Sequence, residues 1–248
     1  MLKSMIMNLE KILFIDVETV PLAEFFDDLP ENIQSLWLSK AETIKQRMPD
    51  KISENQSNDE IFFNNAGVYS EFSKIICISA GYFYIKNGES FFRLKSFAGD
   101  NEKDILTDFA EMLKKFFKSN DNQICGHNIK EFDIPFICRR MLINGIKIPN
   151  CINVAGKKPW ETNFIDTLEL WRFGDYKNYT SLKLLAAVFG IPTPKDDIDG
   201  SQVASVYYKE KNLDRIKNYC QKDVLATARL YQRFCSMPMI ADKFVEVA

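Results

Sequence analysis

Residues 11–17, KILFIDV, are apolar everywhere except at the first and sixth positions, and they mix β-branched with aromatic side chains. A run of this kind has no polar face to offer to water, so it suits a strand buried on both sides. Such a strand lies inside a sheet that is covered on both faces, which points to an α/β fold. Further signals agree. Residues 74–85 and 90–97 read as strands, and Asn87-Gly88 between them is a strong hairpin turn. Residues 101–118 read as an amphipathic helix with Ile105, Phe109, Met112 and Phe116 on one side. Gln123–Gly126 and Phe164–Asp166 read as short strands, and 134–144 as a helix closed by Asn144-Gly145. Helices are expected over 180–189, 200–209 and 212–235. The sum is a mixed β-sheet flanked by helices, in one domain spanning 1–248.

The order is broken by a long excursion, an insertion over 22–70. It contains an expected helix near Pro30–Arg47, with Ile33, Leu36 and Trp37 as its apolar contacts, and then a polar tract over 49–60 that reads as a loop.

Composition narrows the function. With 46% hydrophobic residues, the 248-residue chain can bury a substantial core. No apolar run approaches the roughly 20 residues of a membrane helix, and the N-terminus lacks the pattern of a signal peptide. No membrane role is expected. The six cysteines are scattered without a C-x-x-C pair and there is one histidine, so reduced thiols and a cytoplasmic location are expected rather than a zinc site. The net charge of −2 argues against a protein that grips nucleic acid mainly by its phosphates. Any such binding has to rest on local patches or on metal ions.

Several acids stand where acids are costly. Asp16 and Glu18 end the buried strand at positions i and i+2, so both point to one face. Asp223 falls on the inward stripe of the last helix, among Ile216, Cys220, Thr227 and Leu230, with Tyr219 one turn earlier. Asp133 precedes Ile134-Pro135, where a helix begins, and an N-cap role explains it by itself; a capping Asp can still direct one oxygen into a cleft. Brought together, these carboxylates would repel by about 4 kcal/mol per close pair. A buried carboxylate must meet a cation or become neutral, and Asp223 alone could pair with an Arg or Lys; several acids together call for divalent cations, and oxygen ligands without His or Cys favour Mg²⁺ or Mn²⁺.

The residues also carry a resemblance. Phe14-Ile15-Asp16-Val17-Glu18-Thr19, Gly126-His127-Asn128-Ile129-Lys130-Glu131-Phe132-Asp133 and Tyr219-Cys220-Gln221-Lys222-Asp223 resemble, in order, the three exonuclease motifs of the DEDD superfamily. The third is similar to the Y-x-x-x-D form, because the DEDDh histidine position is occupied by Asn218. Thr180 through Ala186, Gly190-Ile191-Pro192 and Lys195-Asp196-Asp197-Ile198 resemble the exonuclease domain of family B DNA polymerases, and most closely the stand-alone bacterial exonucleases related to it. The resemblance covers most of the chain and is weakest over 22–70. It implies a ribonuclease H-like fold and a free-standing 3′–5′ exonuclease, since the length leaves no room for polymerase palm, fingers or thumb.

On that basis Asp16, Glu18, Asp133 and Asp223 are expected to hold two Mg²⁺ or Mn²⁺ ions. Tyr219 is expected to orient the attacking water rather than to act as free base, its ordinary pKa being about 10. The expected product is a 5′-nucleoside monophosphate and the expected partner is nucleic acid, single-stranded DNA 3′ ends in the first place. Candidate substrate contacts are Thr19 in the first motif, Asn128 (or a loop brace), Phe132 (a base stack or core), Lys183 (the scissile phosphate or solvent), and Lys158 with Trp160, whose charge and ring suit single strands. His127 is expected to be a structural histidine beside the cleft. An exoribonuclease on short RNA and a catalytically weak nucleic-acid-binding protein on the same fold are the alternatives. Repair, proofreading in trans and nucleotide scavenging are all compatible pathways.

Overall fold

The computed structural model describes residues 9–47, 52, 55–119, 121–158, 161–192 and 198–248. The readings made for the extreme N-terminus, part of the 49–60 tract, Trp160 and Lys195-Asp196-Asp197 lie outside them.

Six strands form one mixed sheet in the order β5-β4-β1-β2-β3-β6. The strands are β1 (Ile12–Pro21), β2 (Ser73–Lys86), β3 (Glu89–Ala98), β4 (Gln123–Gly126), β5 (Phe164–Asp166) and β6 (Val245–Val247). The β1–β2 and β2–β3 pairs are antiparallel; β4 runs parallel to β1, β5 to β4, and β6 to β3. Asn87 and Gly88 turn the β2–β3 hairpin with φ of 54° and 81°, the left-handed pair that matches strand twist. This is the α/β architecture expected, a ribonuclease H-like mixed sheet with helices on its faces. β6 was not foreseen: three residues carry too little pattern to mark a strand.

The helices are α1 (Glu31–Arg47), α2 (Asn58–Asn65), α3 (Glu102–Phe116), α4 (Asp133–Ile143), α5 (Thr167–Arg172), α6 (Leu182–Val188), α7 (Val203–Tyr208) and α8 (Leu213–Phe234). The alternation along β1 sorts them. Leu13, Ile15 and Val17 join Phe109, Leu113, Ile134 and Ile137 of α3 and α4 in one cluster. Ile12 and Phe14 join Val224, Ala228 and Tyr231 of α8 in another on the opposite face. β1 is therefore covered on both sides, as its composition requires. A buried ion pair steadies the α3–α4 layer: Arg140 donates to Glu102 at 2.8 and 2.6 Å, and Glu102 also accepts the Ile75 N–H at 2.7 Å. With its other lone pairs engaged, Glu102 meets the condition under which a buried charge is tolerated.

Residues between β1 and β2 gather a cluster of their own, with Trp37, Phe62 and Phe72 packed edge to face at 5.4 and 5.1 Å. Trp37 is a core contact of α1 as expected, but Leu36 is exposed; Ala41 and Ile44 hold the buried face with Trp37. The polar tract read as a loop becomes helix at Asn58, where Ser57 and Glu60 form a complete capping box. That S-x-x-E pattern was the signal for the missed helix.

Candidate active site

Asp16 and Glu18 do not end their strand; β1 continues to Pro21, and its register slips between Glu18 and Thr19. Their place follows from alternation. Positions 12, 14, 16 and 18 share the face turned to α8, so that face changes from apolar to acidic within two residues. α8 changes in step. Val224 and Ala228 oppose the apolar half of β1. Next to Val224 and in the turn before it, Asp223, Cys220 and Tyr219 oppose the acidic half. Ligand atoms of Asp16, Glu18 and Cys220 lie within 4.8 Å of one another. The Cys220 thiol donates to the Asp16 carbonyl oxygen at 3.4 Å, which ties α8 to β1.

Asp133 enters from the other side. The structure sets aside only the N-cap reading: Phe132 is the N-cap of α4, it makes no side-chain cap bond, and Asp133 is the first helical residue. Its carboxylate is therefore not used to close the helix. The backbone N–H groups of Asp133 itself and of Val17 face the carboxylate and favour its charged form. The opening exists because β4 pairs with β1 only as far as Phe14↔Cys125, which leaves the edge of β1 bare beyond that point. Asp133 fills the vacated position, beside the Val17 amide that lies between Asp16 and Glu18.

The charges feel one another. Burial, then Asp223 and Asp133, hold the Asp16 carboxyl well above the ordinary carboxylate range. Burial, then Asp16 and Asp223, do the same to Glu18. Burial first, with Asp166 adding, lifts Asp133 to about 7. Two carboxylates at this spacing repel by about 3–4 kcal/mol at an effective dielectric near 20. Tyr219 is pushed far up by burial and by Asp223, Glu18 and Asp16, and its hydroxyl bonds Asp223. It is a phenol, able to donate but not to serve as a free base near neutrality. Burial keeps Cys220 a thiol, its pKa raised well above the usual value. The charged donors are then all carboxylate oxygens, a set that suits a hard divalent cation.

Asp166, to which the sequence reading gave no role, braces the whole arrangement. Its buried carboxylate accepts the N–H of Asn128 at 3.0 Å and of Lys130 at 3.1 Å, in the loop that leads to Asp133. It also accepts Leu168 N–H at 2.9 Å and Glu169 N–H at 3.4 Å, capping α5. The signal was available, since Asp followed by Thr-Leu-Glu is a common helix start.

His127 is structural, as expected. Its Nε2 donates to the Thr180 carbonyl at 2.9 Å, so Nδ1 accepts from the Thr167 hydroxyl at 2.9 Å. Burial depresses its pKa, in keeping with a neutral ring. Asn128 sits at φ +63°, and its carbonyl accepts the N–H of Phe132 at 3.0 Å, so its backbone shapes the turn. Phe132 is partly buried and packs on Phe136 at 5.3 Å. Thr19 donates its hydroxyl to Gly67 O at 2.7 Å, fastening the residues before β2 to β1. Lys183 is exposed near the start of α6, close enough to Asp199 to lower its pKa after hydrogen bonding has done so. Lys158 lies in an exposed loop before β5, whereas the acids cluster beyond the C-terminal ends of β4 and β5; the structure does not bring it to them.

Comparison with known proteins bears on this geometry. A family model described as "Predicted 3'-5' exonuclease related to the exonuclease domain of PolB" matches residues 68–244. The chain is also similar to a DNA polymerase of Pyrococcus glycovorans, 22% identical over 154 residues, which is 54% of this chain and 19% of the polymerase. The matched segment thus spans about a fifth of that relative's length.

Proposed function

The chain belongs to the family of predicted 3′–5′ exonucleases related to the PolB exonuclease domain, and on that footing we propose that it shortens nucleic acid from the 3′ end, releasing 5′-nucleoside monophosphates. Membership implies a nucleic-acid substrate and the use of divalent metal. Single-stranded DNA is the substrate proposed, and Mg²⁺ or Mn²⁺ the pair of cations. Asp16, Glu18, Asp133 and Asp223 would hold them, and the bound cations would supply Lewis-acid stabilisation of the attacking and leaving oxygens. The observation that carries this reading is the acidic half of β1, faced by Tyr219 and Asp223 of α8 and joined by Asp133 across the bare strand edge.

The chain's own groups divide the work. The carboxylates cannot all ionise without a counter-charge, so they form a site that is completed by cations. Tyr219 donates to Asp223 and stands ready to orient a water. Asp166 sets the loop from which Asp133 projects. In this proposal the chain is one exonuclease domain with an insertion at about 22–70. All six cysteines are free, in keeping with a cytoplasmic setting. No described helix is long and apolar enough to cross a membrane.

End-labelled single-stranded, duplex and mismatched DNA, with matched RNA, incubated in Mn²⁺ tests the reading. A ladder shortening from the 3′ end, lost in Asp223→Asn, is expected. Faster loss of RNA than of DNA would turn the assignment to an exoribonuclease. Undiminished activity in Asp223→Asn would sink the metal site.

A further inference from the structure

The segment between α5 and α6 presents aromatic rings to solvent beside the acidic cluster. Phe173 is 90% exposed, Tyr176 70% and Tyr179 64%. Exposed rings scattered singly mean little, but three within seven residues form a surface. Phe173 is also in an unfavourable conformation. It closes α5 with φ +45°, a left-handed position normally given to glycine, while Gly174 follows it at φ +90°. A bulky side chain held there lowers stability and gains no burial in return. Such strain is concentrated at functional positions.

The segment is joined to the site. The Tyr179 ring meets His127 edge on at 6.4 Å, and the next residue, Thr180, accepts from that histidine. Burial, followed by the charges of Asp133, Asp166 and Asp16, pushes the Tyr179 hydroxyl pKa up, so Tyr179 lies within the field of the acids. Cations accompany the rings. The Arg172 guanidinium lies 5.5 Å from the centre of the Tyr176 ring, and its Nε is buried with no acceptor among the described residues. Lys177 lies in the segment itself. Glu131 stands 3.6 Å from Arg172 and Asp175 accepts from the Lys177 backbone N–H, so the local charge is mixed rather than strongly basic.

We propose that Phe173, Tyr176 and Tyr179 form a stacking platform for the unpaired bases just upstream of the 3′ end, which makes single-stranded nucleic acid the preferred substrate of the proposed exonuclease site. It rests on that functional reading for its direction: the strand runs from the platform to the acids. The chemistry selects for single strands. Unpaired bases expose both faces and stack on aromatic rings whatever their sequence, whereas the bases of a duplex are already stacked on one another. Stacking also suits a chain of net charge −2, because it needs few phosphate contacts.

The test separates the platform from the acids. Fluorescence anisotropy in Ca²⁺ measures binding of a labelled single-stranded oligonucleotide and of a blunt duplex. Hydrolysis of thymidine 5′-p-nitrophenyl phosphate in Mn²⁺ measures the acidic site alone, since this small ester does not reach the platform. The double variant Phe173→Ala/Tyr176→Ala is expected to lose at least roughly five-fold in single-strand affinity, the lower end of one stacked base, with the small-ester rate unchanged. Phe173→Tyr/Tyr176→Phe is expected to restore binding. Phe173→Gly is expected to raise Tm while weakening single-strand binding, because glycine relaxes the left-handed backbone. Unchanged single-strand affinity in the double alanine variant overturns the platform. So does an equal loss for duplex, failure of the aromatic variant to rescue, or no single-strand binding by the unaltered protein. Failure to hydrolyse either substrate would refute the exonuclease reading alone, and the anisotropy would still judge the platform.

Discussion

Replacing Asp166 tests whether a residue that need not touch substrate holds the site together. Its carboxylate serves four backbone N–H groups: Asn128, Lys130, Leu168 and Glu169. In Asp166→Ala the cap of α5 is lost, which costs about 1 kcal/mol. The two loop amides lose a charged acceptor in a buried place, about 1.5 kcal/mol each at the low end. The total is about 4 kcal/mol, equivalent to a fall in Tm of roughly 8–16 °C for a chain of this size. Asp166→Asn is milder. Its remaining oxygen can still serve the Asn128, Leu168 and Glu169 amides, which all use Oδ1, but the new NH₂ faces the Lys130 N–H, which bonds Oδ2. The expected loss is about 2 kcal/mol, near the middle of the range for one charged hydrogen bond. Because the loop also carries Asp133, Mn²⁺ affinity is expected to fall by about 10- to 100-fold in the alanine variant, the usual effect of removing a group that orients a ligand. Urea unfolding followed by circular dichroism gives the first quantity and calorimetric Mn²⁺ titration the second. A loss under about 1 kcal/mol in Asp166→Ala, with unchanged Mn²⁺ affinity, would refute the bracing role.

Metal stabilisation should depend on pH. Asp16, Glu18 and Asp133 all have raised pKa values in the metal-free fold, Asp133 to about 7. A raised carboxyl contributes stability below its unfolded pKa of about 4 and loses it as pH rises through the folded value. The metal-free protein should therefore weaken from about pH 4 to above pH 7, and the Tm gain on adding Mn²⁺ should be larger at pH 8 than at pH 5; an equal gain at both would count against the cluster. Tyr219→Phe should keep a measurable part of the exonuclease rate where Asp16→Asn, Asp133→Asn and Asp223→Asn keep almost none, and a pH–rate limb that vanishes with the phenol would show it to be the base instead. Gly126→Ala should destabilise by about 1–3 kcal/mol in urea titrations and slow the reaction, because an added Cβ would stand 2.7 Å from the Ile129 Cβ in the loop before Asp133; an unperturbed variant would mean that the loop has slack.

Much of this protein was legible in one dimension. The apolar run at β1 required a covered sheet, and the hairpin turn, the amphipathic α3 and the long α8 followed from local pattern. Asp16 with Glu18, and Tyr219 with Asp223, were also legible, because two residues on a strand and four on a helix fix which side chains share a face. Trp37 and the Asn144-Gly145 stop were readable for the same reason. What failed was either too short or too dependent on neighbours. β6 spans three residues, and α2 was hidden behind its polar cap. Leu36 looked like a core residue by type, but the packing of α1 left it exposed.

Asp133 marks the boundary between the two kinds of knowledge. By itself its sequence context favours a helix cap. Only the short reach of β4, which leaves the Val17 amide without a strand partner on that side, decides that the carboxylate turns to β1 instead. The same holds for Asp166, whose partners lie up to 38 residues away. The sequence determined which acids lie on which face of each element, because periodicity is local. Tertiary structure alone decided that those faces meet, since convergence depends on strand order, strand length and the two packed layers, and none of these is encoded within a single turn or strand.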